Sequence, residues 1–133
     1  MNINYKIKAL FITSENEKTK ISTSCNYFFK PDLSIISYLE NLENLETKIY
    51  IYNNKKIIIS RQSNNIIIEK NIRNECKYKT PFGVILMGTT GEFLDINLSK
   101  DSGEINFKYK IDFNNLYSHS NQAKIKIIKN KIL

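Results

Sequence analysis

The chain has 133 residues, which is the size of a single domain and long enough to bury a hydrophobic core without disulfides or metal ions. Lys and Arg outnumber Asp and Glu by 20 to 13, and the net charge of +7 favours anionic partners, although an Ile-, Asn- and Lys-rich composition is also what an AT-rich genome encodes. Lys6 and Lys8 interrupt the apolar residues from 3 to 12, so we expect neither a signal peptide nor a transmembrane segment.

The first third of the chain alternates apolar with polar side chains. Residues 3–13 and 19–30 follow a period of two, which is typical of a half-buried strand. Pro31-Asp32 predicts a turn before a third strand at 33–38. Polar turn-forming residues at 40–44 predict a loop, and alternation resumes at 45–51.

The middle of the chain predicts hairpins. Asn53-Asn54 favours a tight turn, because Asn tolerates a positive φ. The apolar triplets 57–59 and 66–68 are too short and too β-branched for helices, so they predict a second hairpin with its turn at 62–65.

The last part of the chain predicts longer strands. We expect strands at 75–80, 83–90 and 92–98, with a break near Gly88 and Gly91. A turn at 100–103 precedes two alternating strands at 104–111 and 121–129.

About eight to ten short strands separated by turns predict an all-β fold, and no window shows a helical period over a helical length. Consecutive hairpins favour an antiparallel meander, and closing it would remove exposed strand edges. We therefore expect one domain over residues 1–133, an antiparallel up-and-down β-barrel.

Cys25 and Cys76 are too far apart in sequence for a CxxC or metal-binding pattern. We interpret them as reduced, partly buried thiols. Together with the missing signal peptide, they indicate a cytoplasmic protein. No cofactor and no metal ion are expected.

Short motifs follow one another in a characteristic order between residues 35 and 129. They are Ser37-Tyr38-x-Glu40, Thr47-Lys48-Ile49, an Ile-rich strand ending in Arg61, Glu69, Tyr78-x-Thr80-Pro81-Phe82-Gly83, Leu86-Met87-Gly88, Gly103-x-Ile105-x-Phe107-x-Tyr109 and Asn121. This order resembles the YwiB-like family of small bacterial proteins, and the Tyr-x-Thr-Pro-aromatic-Gly box is its most specific part. The resemblance implies a lipocalin-like (calycin) antiparallel barrel in a bacterial cytosol, and it implies no particular activity.

Arg61 is the first candidate binding residue. It shares the register of Ile57 and Ile59, so its guanidinium is predicted to point inward near a barrel end. There it would bind a carboxylate or phosphate through two hydrogen bonds. The alternative is an arginine that reaches solvent or pairs with Glu40 or Glu69.

Inward-facing polar side chains are the second candidate feature. Tyr78, Thr80, Tyr109 and Asn121 are predicted to form a polar patch in an otherwise apolar barrel, together with Tyr27 and Thr23. Apolar walls with a few placed polar groups are typical of a ligand cavity. The alternative is that these groups satisfy one another or the buried backbone.

Two apparent catalytic motifs do not support an enzyme. Gly88-Thr89-Thr90-Gly91 lacks the Lys-Ser/Thr pair and the following helix of a phosphate loop. His119 lies close to Asp112 and two serines in sequence, but no nucleophile elbow is present.

Lys124, Lys126, Lys129 and Lys131 form a basic strip on the last predicted strand. With Tyr50 and Tyr52, predicted to be exposed, this strip is the candidate for nucleic-acid contact by phosphate attraction and stacking. The alternative is a solvated lysine face that protects a sheet edge.

The leading hypothesis is a non-enzymatic barrel that binds a small anionic or amphipathic ligand at its mouth. Its predicted site residues are Arg61, Tyr78, Thr80, Tyr109, Glu40 and Asn121. The alternative is a basic barrel that binds RNA or a protein partner on its outer lysine-rich face. In both cases we expect a monomer or a homodimer that does not insert into a membrane.

Overall fold

The computed structural model describes residues 4–40, 45–61, 64–114 and 116–130. Within these ranges the regular elements are all β-strands, which confirms the all-β prediction. The strands are β1 (Asn4–Ile12), β2 (Lys18–Phe28), β3 (Leu33–Glu40), β4 (Leu45–Tyr52), β5 (Lys56–Arg61), β6 (Asn64–Glu69), β7 (Arg73–Thr80), β8 (Gly83–Leu98), β9 (Ser102–Phe113) and β10 (Tyr117–Asn130).

The ten strands form one antiparallel sheet in the order β6-β5-β4-β3-β2-β1-β10-β9-β8-β7. β1 pairs with β10 over a full ladder from Asn4↔Asn130 to Ile12↔Gln122, so the first and last strands close the meander. The two ends of the strand order, β6 and β7, then lie beside each other. The predicted up-and-down barrel is confirmed as a nearly closed sheet.

Polar groups and single bridges, in place of a ladder, connect β6 to β7 and β8. The Thr89 hydroxyl donates to the Ile67 carbonyl at 2.5 Å, and the Lys79 amide donates to the Asn64 side chain at 3.0 Å. One parallel bridge joins Lys70 to Gly91. This seam is the weaker of the two places where the barrel closes.

Inward side chains from the strands form one hydrophobic core. Its buried members are Ile7, Ala9, Cys25, Ile36, Tyr38, Ile49, Ile51, Ile57, Ile68, Ile105, Phe107, Tyr109, Ala123, Ile125 and Ile127. β-branched isoleucines suit this position because they pack well on a pleated surface.

The predicted break near Gly88 and Gly91 is wrong, because β8 runs through both glycines. At Gly88 a Cβ atom would clash with the guanidinium of Arg73, which crosses over the glycine to reach Asp112. At Gly91 the register with β9 shifts by a bulge. These glycines therefore mark a crossing side chain and a bulge.

The structure confirms the predicted turn at Asn53-Asn54 and shows that the predicted turn at 62–65 is too long. Asn53 and Asn54 have φ values of 49° and 55°, as a tight hairpin turn between β4 and β5 requires. Asn64 already pairs with Arg61 in the β5–β6 ladder, so the predicted turn at 62–65 is too long. Residues 41–44 of the predicted loop lie outside the described residues, and Glu40 ends β3.

The antiparallel register brings the C-terminal residues of β1, β3, β5, β7 and β9 to one end, which we call the Arg61 end. The β8–β9 turn covers the opposite end. There the Tyr27 hydroxyl donates to the Ser99 carbonyl at 2.6 Å, and the Tyr5 hydroxyl donates to the Lys100 carbonyl at 3.3 Å. The Tyr27 hydroxyl is therefore bonded to the backbone of an exposed turn.

Candidate functional site

Arg61 and Glu40 form an ion pair at the Arg61 end. Arg61 Nη2 lies 2.6 Å from Glu40 Oε2, and the Thr47 hydroxyl donates to Glu40 Oε1 at 3.0 Å. Thr47 is the cross-strand neighbour of both Tyr38 and Arg61, so one row of inward positions brings these groups together. The structure thus shows Arg61 pairing with Glu40, which was the alternative to ligand binding.

Burial controls the chemistry of this cluster. It raises the pKa of Tyr38 to about 12, and the nearby Glu40 carboxylate adds to the shift, whereas a hydrogen bond with Thr47 and the Arg61 charge oppose it. Tyr38 therefore stays a neutral phenol. About half of the Arg61 side chain is exposed (51%), whereas its partner Glu40 is largely buried (16%).

Tyr109 and Asn121 are cross-strand neighbours on β9 and β10. Their side chains hydrogen-bond, and burial raises the pKa of the Tyr109 phenol. The Tyr109 ring also stacks on Phe107 with centroids 5.8 Å apart. Asn121 lines a depression of about 250 Å³ together with His119 and the turn after β1.

Tyr78 and Thr80 lie on the hairpin of β7 and β8. The Thr80 hydroxyl donates to the Gly83 carbonyl at 2.8 Å and accepts from the Phe82 amide at 3.1 Å. Thr80 therefore stabilises the Pro81-Phe82 turn. The six predicted site residues divide into the Glu40–Arg61 pair, the Tyr109–Asn121 pair and two residues of this hairpin.

Asp112 and His119 face opposite sides of the sheet. Asp112 accepts hydrogen bonds from Arg73 Nε at 3.0 Å and Arg73 Nη2 at 2.8 Å on the outer face, and this raises the Arg73 pKa. His119 faces inward, with its ring edge-on to Phe113. In the described ranges no cluster of His, Cys, Asp and Glu suits a metal ion.

Lysines dominate the outer surface of four adjacent strands, β2, β1, β10 and β9. This lysine face comprises Lys6, Lys8, Lys18, Lys20, Lys108, Lys110, Lys124 and Lys126. These residues alternate with inward residues such as Ile7, Phe107 and Ile125, which places their side chains outside. β1, β2 and β10 contain no acidic residue, so little on this surface neutralises the lysines.

A groove of about 510 Å³ crosses the lysine face. Lys20, Leu10 and Lys124 lie side by side across it, and Lys8 lies directly opposite Lys126 in the β1–β10 ladder. Among the described residues that line the groove, Glu104 is the single acid, and its carboxylate is 3.9 Å from Lys126 Nζ. The groove therefore has an apolar floor at Leu10 and basic walls.

The predicted basic strip covers only part of this surface. Lys124 and Lys126 belong to it, but Lys129 has inward parity and donates to Asp101 at 3.2 Å. Lys131 lies outside the described residues. Tyr50 and Tyr52 are on β4, and three strands lie between β4 and β10.

The basic strip predicted from the sequence was confined to the last strand and left out the lysines of β1, β2 and β9, which are Lys6, Lys8, Lys18, Lys20, Lys108 and Lys110. The missing information was the register between the first strand and the last, which places these lysines beside Lys124 and Lys126.

A family profile, described as a domain of unknown function (DUF1934), matches residues 3–125. The chain belongs to this family. The structure of the DUF1934 chain is similar to the crystal structure of ywiB protein from Bacillus subtilis, with a TM-score of 0.75 and 18% sequence identity, over 97% of this chain and 92% of that chain. The resemblance to the YwiB-like family is thereby confirmed, and at this identity the likeness concerns the fold.

No curated protein matches the chain of this DUF1934 member. Within the residues that the structure describes, no helix is long and apolar enough to cross a membrane.

Proposed function

We propose that this protein binds single-stranded RNA on its lysine face. The observation that carries the proposal is the Lys8–Lys126 pair. Like charges directly opposite each other on neighbouring strands destabilise a sheet, and an anion between them relieves the repulsion. Lys20 and Lys124 continue the positive charge in the adjacent row, so the phosphates of an extended chain meet several lysines.

The shape and composition of the groove support a single strand over other polyanions. Single strands combine phosphate contacts with stacking on exposed aromatic rings. Leu10 provides an apolar floor, and Phe93, half exposed, is the cross-strand neighbour of Lys108 at the edge of the face. An acidic protein would form ion pairs with the lysines but would gain little from the single Phe93 ring.

Fluorescence anisotropy with a labelled oligouridylate of about 12 nucleotides tests this proposal. If about five phosphates are neutralised, affinity falls about 100-fold between 50 and 200 mM salt. The double variant Lys8→Glu/Lys126→Glu should abolish binding at both salt concentrations. A matched control, Lys55→Glu/Lys70→Glu, makes the same charge change at exposed positions outside the lysine face and should leave most of the affinity.

Two outcomes contradict the proposal. Equal loss of affinity in the test and control variants would mean that net charge alone attracts the RNA. Stronger binding of poly-glutamate than of oligouridylate at equal salt would assign the lysine face to an acidic protein.

A second candidate function is the binding of a small anionic or amphipathic ligand at the Arg61 end. The half-exposed Arg61 guanidinium favours it, as does the depression lined by Asn121 at the same end of the barrel. Native mass spectrometry before and after denaturation would reveal a retained ligand as extra mass. Arg61→Ala should then remove that mass while the circular-dichroism spectrum stays β-rich, and a mass unchanged by this substitution would contradict the candidate.

We further propose that the protein acts by binding, without catalysis, in the cytoplasm. The free thiols of Cys25 and Cys76 support a reducing compartment. Imaging a tagged chain in its host would test this location, and an extracellular signal would contradict it.

A further inference from the structure

We propose that the tip of the β7–β8 hairpin docks on an anionic membrane surface. β9 ends at Phe113, which pairs with Met87, so the residues from Leu86 to the turn extend beyond the end of β9. The tip carries the Tyr78-x-Thr80-Pro81-Phe82-Gly83 box, which neither of the binding sites proposed above uses. It lies at the Arg61 end, whereas the lysine face lies on the outer wall of the barrel, so this contact is separate from RNA binding.

Apolar side chains project from this tip into solvent. Phe82, at the turn itself, is fully exposed (100%), and Val84, which follows it on the outer face of β8, is 63% exposed. Leu116, in the neighbouring β9–β10 turn, is 86% exposed. The Asn114 amide of that turn donates to the Leu86 carbonyl at 3.2 Å, which holds the two turns beside each other. The exposed apolar side chains of both turns therefore belong to one region at the end of the molecule.

The turn conformation keeps the Phe82 ring in solvent. The Thr80 hydroxyl donates to the Gly83 carbonyl at 2.8 Å and accepts from the Phe82 amide at 3.1 Å. The ring of Pro81 fixes its own φ, and Gly83 adopts a φ of 130°, which a residue with a Cβ atom rarely adopts. A turn fixed in this way keeps the aromatic ring away from the barrel, so its apolar surface stays open until a partner covers it.

The same hydrogen bonds favour a lipid surface as that partner. A backbone group that leaves water without a hydrogen bond costs free energy, and this cost keeps most loops out of a membrane. At this tip Pro81 has no N–H, and the Thr80 hydroxyl satisfies both the Phe82 amide and the Gly83 carbonyl. Polar backbone groups of the turn therefore keep their partners when Phe82 enters the headgroup region.

Two lysines lie at the depth of the lipid phosphates. Lys79 pairs with Val84 and Lys77 with Leu86, so their side chains stand beside these apolar residues on the outer face of the hairpin. Val84 is two residues behind Phe82, which is about 7 Å along a strand, and an interfacial apolar group sinks about 5–10 Å into the boundary between headgroups and acyl chains. Ammonium groups at that level meet the phosphates of anionic lipids.

The hairpin carries no negative charge that opposes this attraction. Residues 76–91 contain neither Asp nor Glu, and Glu75, just before them, is paired with an arginine 3.2 Å away. Glu15 and Glu17, at the same end of the barrel, lie beside Phe113, and the hairpin extends beyond that point. The contact is peripheral, because only the turn enters the headgroup region and no strand crosses the bilayer.

Co-sedimentation of the full chain with vesicles tests the proposal. We expect binding to phosphatidylcholine vesicles that contain about 30% phosphatidylglycerol, and much weaker binding to phosphatidylcholine alone. Phe82→Ser should lower the partition coefficient at least about tenfold, because it removes a large apolar side chain without changing the charge. Phe28→Ser is the matched control, because Phe28 is also exposed (49%) but ends β2 at the opposite end of the barrel. It should change the coefficient less than about twofold.

The two lysines are tested in the same assay. Lys77→Gln/Lys79→Gln should lower the partition coefficient on the anionic vesicles at least about tenfold, since each lysine close to an anionic surface strengthens binding. Lys55→Gln/Lys70→Gln removes the same charge from exposed positions between strands at the opposite end. This control should lower the coefficient less than about threefold, because the screening length is short.

A fluorescent side chain at the tip locates the contact. The chain contains no tryptophan, so Phe82→Trp introduces a single indole. Its emission should shift to the blue on anionic vesicles and be quenched by brominated lipids, whereas the indole of Phe28→Trp should show neither change.

Three outcomes would overturn the proposal. A chain that does not bind the anionic vesicles would leave the tip to a protein partner. Vesicle binding that Phe82→Ser leaves unchanged, or weakens no more than Phe28→Ser does, would mean that the lysine face attracts the lipids by charge alone. An indole at position 82 that stays in water while the chain is bound would exclude the tip from the contact.

Discussion

Two halves of the barrel share one inner surface but differ on the outside. In β1, β2, β9 and β10 the outward positions are mainly lysine, serine and asparagine. In β3 to β6 an apolar row runs across the outer face, formed by Phe28 at the end of β2 and then Ile35, Tyr50, Ile58 and Ile67. The inner pattern therefore defines the barrel, and the outer pattern distinguishes a basic surface from an apolar one.

Lysine stems partly cover the aromatic side chains of the apolar half. Lys30 Nζ lies 5.4 Å from the centre of the Phe28 ring, and Lys56 Nζ lies 5.1 Å from that of Tyr52. Cation–π contacts at exposed sites contribute about 0.5–1 kcal/mol each. Cross-strand packing of β-branched residues stabilises the row itself.

The middle residue of an isoleucine triplet should be far less important for stability than its neighbour. Ile57 is fully buried, and Ile57→Ala should lower the free energy of unfolding by about 3 kcal/mol. Ile58 lies in the outer row, so Ile58→Ala should cost less than about 1 kcal/mol. Urea denaturation of the two variants measures the difference.

The lysine half supplies the control for this comparison. Ile125→Ala should cost as much as Ile57→Ala, because both side chains are buried. Lys124→Ala should change stability by less than about 0.5 kcal/mol. Similar costs for Ile57→Ala and Ile58→Ala would show that the outer row is part of a second core.

Closure at the weaker seam should depend on one hydroxyl. Thr89 is buried and its hydroxyl donates to the Ile67 carbonyl, so Thr89→Val leaves that carbonyl without its partner at nearly unchanged volume. We expect a loss of about 1–2 kcal/mol in the free energy of unfolding. Thr89→Ser keeps the hydroxyl and should keep the Ile67–Lys70 segment protected in hydrogen exchange, and equal exposure of this segment in both variants would contradict the role of the hydroxyl.

The sequence predicted the fold because the inner pattern is periodic. Residues such as Ile105, Phe107 and Tyr109 alternate strictly, and Asn53-Asn54 identifies its turn from local backbone preference alone. The isoleucine triplets 57–59 and 66–68 did not show which side chains point inward. The reason is that their middle residues, Ile58 and Ile67, are apolar although they lie on the outer face. The predicted break at Gly88 was wrong because the glycine makes room for the Arg73 side chain. This is a long-range contact, and no local sequence pattern contains it.

The candidate sites were less predictable than the fold. The parity of Arg61 correctly placed it beside Ile57 and Ile59, and its pairing with Glu40 was foreseen as the alternative. The lysine face depends on β1 pairing with β10, which joins residues more than 100 positions apart. Pairing of strands that distant is decided by closure of the whole sheet, and a single sequence carries no local sign of it.

Tyr38 should make the apolar half sensitive to alkaline pH. Its pKa is about 12 in the folded chain and about 10 when unfolded, so the fold holds the phenolic proton more tightly. The contribution of Tyr38 to stability is complete below pH 10 and is lost as the pH rises from 10 towards 12. Between pH 8 and 11 the free energy of unfolding should fall by about 1.4 kcal/mol on account of this residue.

Comparing the wild-type chain with Tyr38→Phe isolates that contribution. Burial also raises the pKa of Cys25 to about 11, so the Phe variant should retain part of the alkaline loss. Denaturation midpoints at pH 8 and pH 11 measure both slopes. Parallel slopes would mean that folding does not raise the pKa of Tyr38.

Repulsion within the lysine face gives the smallest expected effect. Lys8→Gln removes the charge opposite Lys126, so it should raise the free energy of unfolding by about 0.3 kcal/mol at low salt, whereas Lys70→Gln should not. Added salt should abolish the gain, because it screens exposed charges. The same Lys8→Gln variant should bind oligouridylate more weakly. If the lysines serve solubility alone, the variant should gain stability without losing affinity. If they bind RNA, the variant should gain stability and lose affinity.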